Sequence, residues 1–314
     1  MSRYDRDYEP EELNSRTVPR SQESSGSRDD FNLRGQGASG GSANQEQPVR
    51  REIREPQPIE RGRDKRTTHR FDRQRNYALR DSEIKTLTEI GAFRALNLND
   101  LITHRYHGNV VEARRDLDNL ERQGLLRRRT VYPENVSYLT LSKDAHRFLE
   151  AHPNATADAR QALYQGFVKP KEARHNAAIY RLYQQESARI WREGGKVQRI
   201  ILDFELKREV NQKLARLHSF PAEEQTRRKQ EIAEEHHLPI VNGRICLPDL
   251  RLEYEGPDQE TARVDLELVT GGYHRSGLAR KAQTGFRMYG LPEDQARLRP
   301  AISDPEIMLE VLSL

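Results

Sequence analysis

The stretch from Asn109 to Gly124, NVVEARRDLDNLERQG, limits what this chain can fold into more than any other. Ala113, Leu117 and Leu120 recur every three or four positions, the spacing of one face of an α-helix. Burying that face turns Glu112, Arg114, Arg115, Asp118, Asn119 and Arg122 outward. Asn109 suits an N-cap, because its side chain can accept from the free N–H groups of the first turn. Gly124 suits the left-handed residue that ends a helix. Two β-prone runs follow directly, Leu125–Tyr132 and Val136–Leu141, with the turn-forming Pro133-Glu134-Asn135 between them. Ser142 then stands where it can cap another helix, SKDAHRFL.

Upstream, Ile84, Leu87 and Ile90 predict a first helix capped by Asp81 or Ser82. A second begins around Asn99 (NDLITHRYH), with Leu101 and Ile102 inward. Three helices followed by a basic hairpin, over residues 80–152, are the order of a winged helix-turn-helix. In such a module the third helix enters the major groove of duplex DNA and the hairpin lies along the backbone or minor groove. Arg114, Arg115 and Asn119 are then the candidates for base edges, since arginine suits guanine and asparagine suits adenine. Arg127, Arg128, Arg129 and Tyr132 are the candidates for phosphate contact. Glu112 and Asp118 oppose this unless those arginines neutralise them. The competing expectation is a winged helix used for protein contact or dimerisation, with a solvated charged face.

Composition bears on the remainder. Only 34% of residues are apolar and 32% are charged, which predicts that part of the chain does not build a core. Residues 1–75 fit that description, and Gly35–Gln45 (GQGASGGSANQ) is linker-like. The expectation is a disordered polar tail, closed by the basic stretch Arg61–Arg75, which is either a phosphate-neutralising arm or a solvated linker. Net charge is only +4, from 53 basic and 49 acidic residues, so local clusters matter more than the total. The single cysteine, Cys246, excludes an intramolecular disulfide framework. No apolar run approaches the roughly 18 residues of a membrane span, and charge from Arg3 onward leaves no signal-peptide core. A cytoplasmic location with no membrane partner is expected.

Residues 153–173 are expected to link two domains, through a polar helix at Ala155–Tyr164 and a break at Pro170. A long helix, Ala173–Trp191, carries His175, Ile179, Leu182, Tyr183 and Ile190 on one face and stops at Gly194-Gly195. On such a stripe His175 is expected to be a core histidine. The period then becomes alternating. In RIILDFELK, Ile200, Leu202, Phe204 and Leu206 share one face, with Asp203 and Glu205 opposite. After a charged helix-prone segment, Pro221–His237, alternation returns in Leu247–Tyr254 and Ala262–Val269. Neighbouring strands would bring Glu205, Asp249, Asp265 and Glu267 together. Such carboxylates can hold Mg²⁺ and activate water against a phosphodiester. The plainer alternative is the solvated face of an antiparallel sheet. Ser276–Tyr289 then predicts a helix, with Leu278, Ala282, Phe286 and Tyr289 inward and Lys281 at its border, before a C-terminal helical tail over 291–314.

Pro248-Asp249 leading into a strand, followed by a partner strand with Asp265-x-Glu267, resembles the PD-(D/E)xK restriction-endonuclease-like core. The wider order over 80–290 resembles the replication-relaxation family of plasmid and mobile-element proteins. Its features are a winged helix, a histidine-bearing helix (His175), a strand with Glu205, the Pro-Asp pair, and an acidic strand leading to Lys281 and Tyr289. The resemblance implies a DNA-binding protein acting in replication, relaxation or mobilisation. It makes Glu205 the first acid, Asp249 the Pro-Asp aspartate and Asp265 or Glu267 the second acid, with Asp249 and Glu267 as Mg²⁺ ligands. The nuclease pattern breaks at its lysine, since Glu267 follows Asp265 at that spacing and Val269 follows Glu267. Lys281 is the candidate to supply the missing cation from the next helix.

The expected fold class is therefore α+β: a disordered tail, a winged helix-turn-helix, and a restriction-endonuclease-like α/β domain over 174–290. Walker-type loops, zinc spacing around His236-His237 and nucleophilic Ser or Cys arrangements are missing from the sequence. Duplex DNA is the expected partner. An active Mg²⁺-dependent endonuclease and a non-catalytic interaction module, including a homodimer, are the alternatives.

Overall fold

A computed structural model describes residues 65–71, 75–151, 161–167, 169–270, 275–294 and 311–314 of a mixed α+β chain. The chain order begins with β1 (Thr67–Arg70) and β2 (Asn76–Leu79), paired antiparallel. The expectation of disorder through residue 75 therefore fails at its end, while residues 1–64 and 72–74 lie outside the described residues. The basic stretch folds here because it also carries aromatic residues. Phe71 and Tyr77 pack on Phe148, at 6.1 and 5.5 Å between ring centroids, and Arg75 pairs with Asp144.

Next come α1 (Asp81–Phe93), β3 (Leu96–Asn97), α2 (Leu98–Arg105), α3 (Val110–Arg122), β4 (Leu126–Val131), β5 (Val136–Leu141) and α4 (Lys143–Ala151). The strands form one sheet in the order β3-β5-β4, with β5 antiparallel to both neighbours. Leu87, Ile90, Leu101, Leu117, Leu120, Leu139 and Phe148 fill the space between helices and ribbon. Capping follows the sequence at two places: Asn109 Oδ1 accepts from the Glu112 N–H at 3.1 Å, and Ser142 Oγ from the Ala145 N–H at 3.1 Å. At α1 the cap residue is instead Arg80, whose N–H donates to the Glu83 carboxylate at 2.8 Å.

The residues 161–164 are not helical, contrary to the polar helix expected there, and 155–160 lie outside the described residues. Then α5 (Pro170–Arg192) runs past both halves of the fold. Proline opens this helix rather than breaking it, because an N1 residue needs no N–H. Tyr180 packs edge-on to Phe93 at 5.1 Å, and Leu182 and Ile190 belong to the same apolar cluster as Leu250, Leu252, Leu266 and Leu268 of the second sheet.

That sheet is built from β6 (Lys196–Leu202), β9 (Leu250–Glu255), β10 (Thr261–Val269), β11 (Arg287–Gly290) and β12 (Val311–Ser313), in the order β12-β11-β10-β9-β6. The strand β9 is antiparallel to β6 and β10, whereas β11 is parallel to β10 and β12. Between β6 and β9 lie α6 (Asp203–Leu214), α7 (Ala222–Glu235) and the short pair β7 (Ile240–Val241) and β8 (Arg244–Ile245); α8 (Arg275–Ala282) joins β10 to β11.

Three element expectations fail in this half. The alternating RIILDFELK stops being a strand at Leu202, where the Asp203 N–H donates to the Asp249 carbonyl at 3.1 Å and a helix begins. Asp203 and Glu205 in the first turn of α6 favour that start through the helix dipole. The helix expected to reach Tyr289 ends at Ala282, since Gly285 takes φ +74° and the chain turns into β11. Residues 311–313 form a strand rather than a helical tail.

Candidate nucleic-acid interface and a carboxylate–lysine cluster

The helix α3 divides its residues more finely than its apolar stripe alone suggests. Asp116 lies on the inward side beside Ala113, Leu117 and Leu120, where it pairs with the buried Arg80. Glu83, also fully buried, accepts from Arg80 at 3.1 Å and from Arg66 at 2.8 Å. Asn119 joins this network: its amide donates to Glu83 Oε1 at 3.1 Å and to the Ala78 carbonyl at 3.2 Å. Only 8% exposed, Asn119 is spent on the interior and is not available for a base edge, a correction to the sequence reading. The signal was present, because Asp116 and Asn119 stand at helical spacing beside the apolar stripe.

The opposite side of α3 is uncovered. Val110 and Val111 are 58% and 81% exposed, and Arg114, Arg115, Asp118 and Arg122 are exposed with them. Arg115 neutralises Glu112 at 3.7 Å and reaches Asp116 at 3.4 Å. Among the described residues Arg114 makes no ion pair and no side-chain hydrogen bond, and the Asp118 carboxylate makes no ion pair. On the ribbon, Arg128 pairs with Glu121 of α3 at 2.8 Å, which ties the two elements together. Arg129 lies over the Phe167 ring at 4.3 Å, Arg127 is exposed, and Tyr132 at the ribbon tip is 76% exposed. Arg114, Arg115, Arg127, Arg128, Arg129 and Tyr132 thus all keep solvent-facing surface.

A second site lies where β9, β10, α5, α6 and α8 meet. Asp249 Oδ2 accepts from the Leu268 N–H at 2.9 Å, and His175 Nε2 stands 3.8 Å from its other oxygen. Glu267, 1% exposed, holds Lys281 at 2.7 Å, and Lys281 also donates to the Leu247 carbonyl at 3.0 Å. Lys207 pairs with Asp203 at 2.6 Å. Burial pushes the Asp249 carboxyl up to about 6; the Leu268 N–H and Lys281 oppose that rise, and Asp203 adds to it. Burial lowers the His175 imidazole against the pull of Asp203 and Glu267. For Lys207 burial also acts downward, but Asp203, Asp249 and Glu267 together hold it above its ordinary value.

Of the expected site residues, Asp249, Glu267 and Lys281 come together. Glu205 does not join them: it is buried between Arg199 and Tyr164, whose hydroxyl donates at 3.0 Å. Asp265 accepts from Nε and Nη2 of Arg251, at 2.6 and 2.8 Å, while Arg251 also donates to the carbonyls of His236 and His237. The sequence reading missed Asp203 and Lys207, whose i,i+4 spacing becomes visible once α6 is known to be helical. It also placed His175 in the core, whereas the ring is partly exposed beside Asp249. The donor chemistry suits a hard cation, yet Glu267 and Asp203 are each taken by a lysine. Among the described residues no three His, Cys, Asp or Glu side chains form a group that could hold a metal ion.

No family model, no characterised protein and no solved structure matches the chain.

Proposed function

We propose that this chain is a DNA-binding protein in which α1–α3 and the β4–β5 ribbon act as a winged helix-turn-helix on duplex DNA. The observation that carries the reading is the uncovered face of α3 beside an arginine-bearing ribbon, tied together by Glu121 and Arg128. Arg114, free of internal partners among the described residues, and Arg115 are the groove candidates. Arg127, Arg128, Arg129 and Tyr132 are the backbone candidates. A role of the replication-relaxation type, on plasmid or mobile-element DNA, draws support from the order of elements and from the pairing of Lys281 of α8 with Glu267 of β10.

The test is duplex binding across a salt series, with wild type and an Arg114→Ala/Arg115→Ala variant. Loss of two base-reading arginines is expected to weaken specific binding by about 1–3 kcal/mol for each contact removed, with a relaxed sequence preference. Unchanged affinity and preference would remove α3 from the interface and leave it as a protein-contact surface.

A second reading, Mg²⁺-dependent cleavage of DNA, is favoured by the convergence of Asp249, Glu267 and Lys281. It requires Lys281 and Lys207 to yield the carboxylates they now hold. Supercoiled plasmid incubated with protein and Mg²⁺ decides it: nicked circles are expected with wild type and none with Asp249→Asn. Plasmid left intact by wild type removes the reading.

A further inference from the structure

The most exposed large apolar side chains among the described residues are not scattered. They are Val110, Val111, Tyr132, Trp191 and Ile240, and the first three lie on α3 and the ribbon beside it. Val110 and Val111 form the first turn of α3, directly after the α2–α3 turn, and Arg114 follows one turn later on the same side. Among the described residues these two adjacent valines, both more than half exposed at the start of a helix, add little to the core, and valine is a poorer helix former than alanine. Neither stability nor solubility accounts for them.

Their chemistry limits what they can meet. A valine side chain has no donor and no acceptor, so it cannot read the nitrogen and oxygen pattern of a base edge. The floor of the major groove offers it one apolar group, the C5-methyl of thymine. Set against guanine O6 or cytosine N4, the same side chain would leave a polar group desolvated and unpaired, which costs affinity. In a helix-turn-helix the N-terminal residues of the second helix meet the base edges. Arg114, Arg115 and Arg122 outnumber Glu112 and Asp118 on this side of α3, which favours a polyanion over an apolar protein surface.

Resting on the duplex-binding reading above, we infer that Val110 and Val111 are specificity-determining residues that select thymine through its C5-methyl group. Arg114 stands three residues, or about 4.5 Å, further along the helix than Val111. That is roughly one base-pair step of 3.4 Å. A guanine recognised by Arg114 therefore lies one or two steps from the selected thymine.

The experiment begins with selection of binding sites by the full chain from a random-sequence duplex pool. The recovered duplex is then resynthesised with deoxyuridine in place of thymidine, one position at a time, which removes only the methyl group. Wild type is expected to bind the uracil form about fourfold more weakly at one or two positions, the effect of one buried methyl. A Val110→Ala/Val111→Ala variant is expected to bind both forms alike with its salt slope intact. Because both side chains are exposed and alanine favours helix, this variant keeps the fold. Equal binding of thymine and uracil forms by wild type overturns the inference while leaving duplex binding standing. So does a methyl effect that survives in the double variant. Failure to recover any duplex at low salt overturns the inference and the duplex-binding reading together.

Discussion

Glu83, fully buried, and Asp249, partly buried, show how differently one charge type behaves in this molecule. Glu83 is buried, which alone would raise its pKa. Donation from Arg66 and Arg80 outweighs that, and its carboxyl lies below the usual range. Such a group stabilises the fold above its unfolded pKa and loses that effect as pH falls through its folded value. Asp249 has the opposite sign. Burial holds it at about 6 against an ordinary 3.8, so its ionisation costs stability as pH rises through 6. Asp249→Asn is therefore expected to stabilise the protein at pH 8, by at most about 3 kcal/mol. The gain should disappear below pH 4, where both forms are neutral, and urea unfolding at the two pH values measures it. A gain of the same size at both pH values would mean that packing, not charge, separates the two proteins. An exposed carboxylate that merely decorates a solvated sheet face predicts no gain at all. The sequence could place Asp249 at the start of a strand, but it could not show that Leu268, Lys281 and His175 surround it. Those neighbours come from residues far along the chain.

Elements with local signals at both ends were legible, and elements decided by distant contacts were not. The helix α3 needed only its own residues: a helical apolar spacing, Asn109 before it and Gly124 beyond it. The hairpin β4–β5 was legible for the same reason. The junction of β6 and α6 was not, because Leu202, Phe204 and Leu206 satisfy a strand period while Leu206 and Val210 satisfy a helical one. The tie is broken by the Asp203 N–H reaching the Asp249 carbonyl, a contact no local pattern contains. In α8 and β11 the periodic run Leu278, Ala282, Phe286, Tyr289 is helical on paper. The buried Tyr289 hydroxyl instead donates to Glu186 of α5 at 2.6 Å from a strand flanked on both sides. If the boundary of α3 is set locally, its cap has a measurable weight. Asn109→Ala is expected to cost about 1 kcal/mol, read as a lower urea midpoint with an unchanged m-value. A cost near zero would assign the helix start to tertiary packing instead.

At the scale of the molecule, α5 decides whether this is one folding unit or two. The sequence reading expected a linker and then a separate domain, since Pro170 and the polar stretch before it look like punctuation. The contacts instead group residues 59–314 together, with α5 shared by both sheets. Tyr180 carries much of this: it packs on Phe93, donates to Glu89 at 2.6 Å and sits in the cluster that continues into the β9–β10 leucines. A continuous apolar core lacks the polar seam at which two parts separate. Unfolding is therefore expected as a single transition for both halves. The lone tryptophan, Trp191, at the C-terminal end of α5, supplies one probe, and far-UV circular dichroism supplies the other. Tyr180→Ala removes a large buried side chain and should cost about 3–5 kcal/mol, moving both probes by the same amount. If the fluorescence transition shifts while the dichroism splits into two steps, the halves fold independently and the shared core does not couple them. Coincident curves would mean that the uncovered face of α3 and the Asp249 cluster stand on one cooperative scaffold.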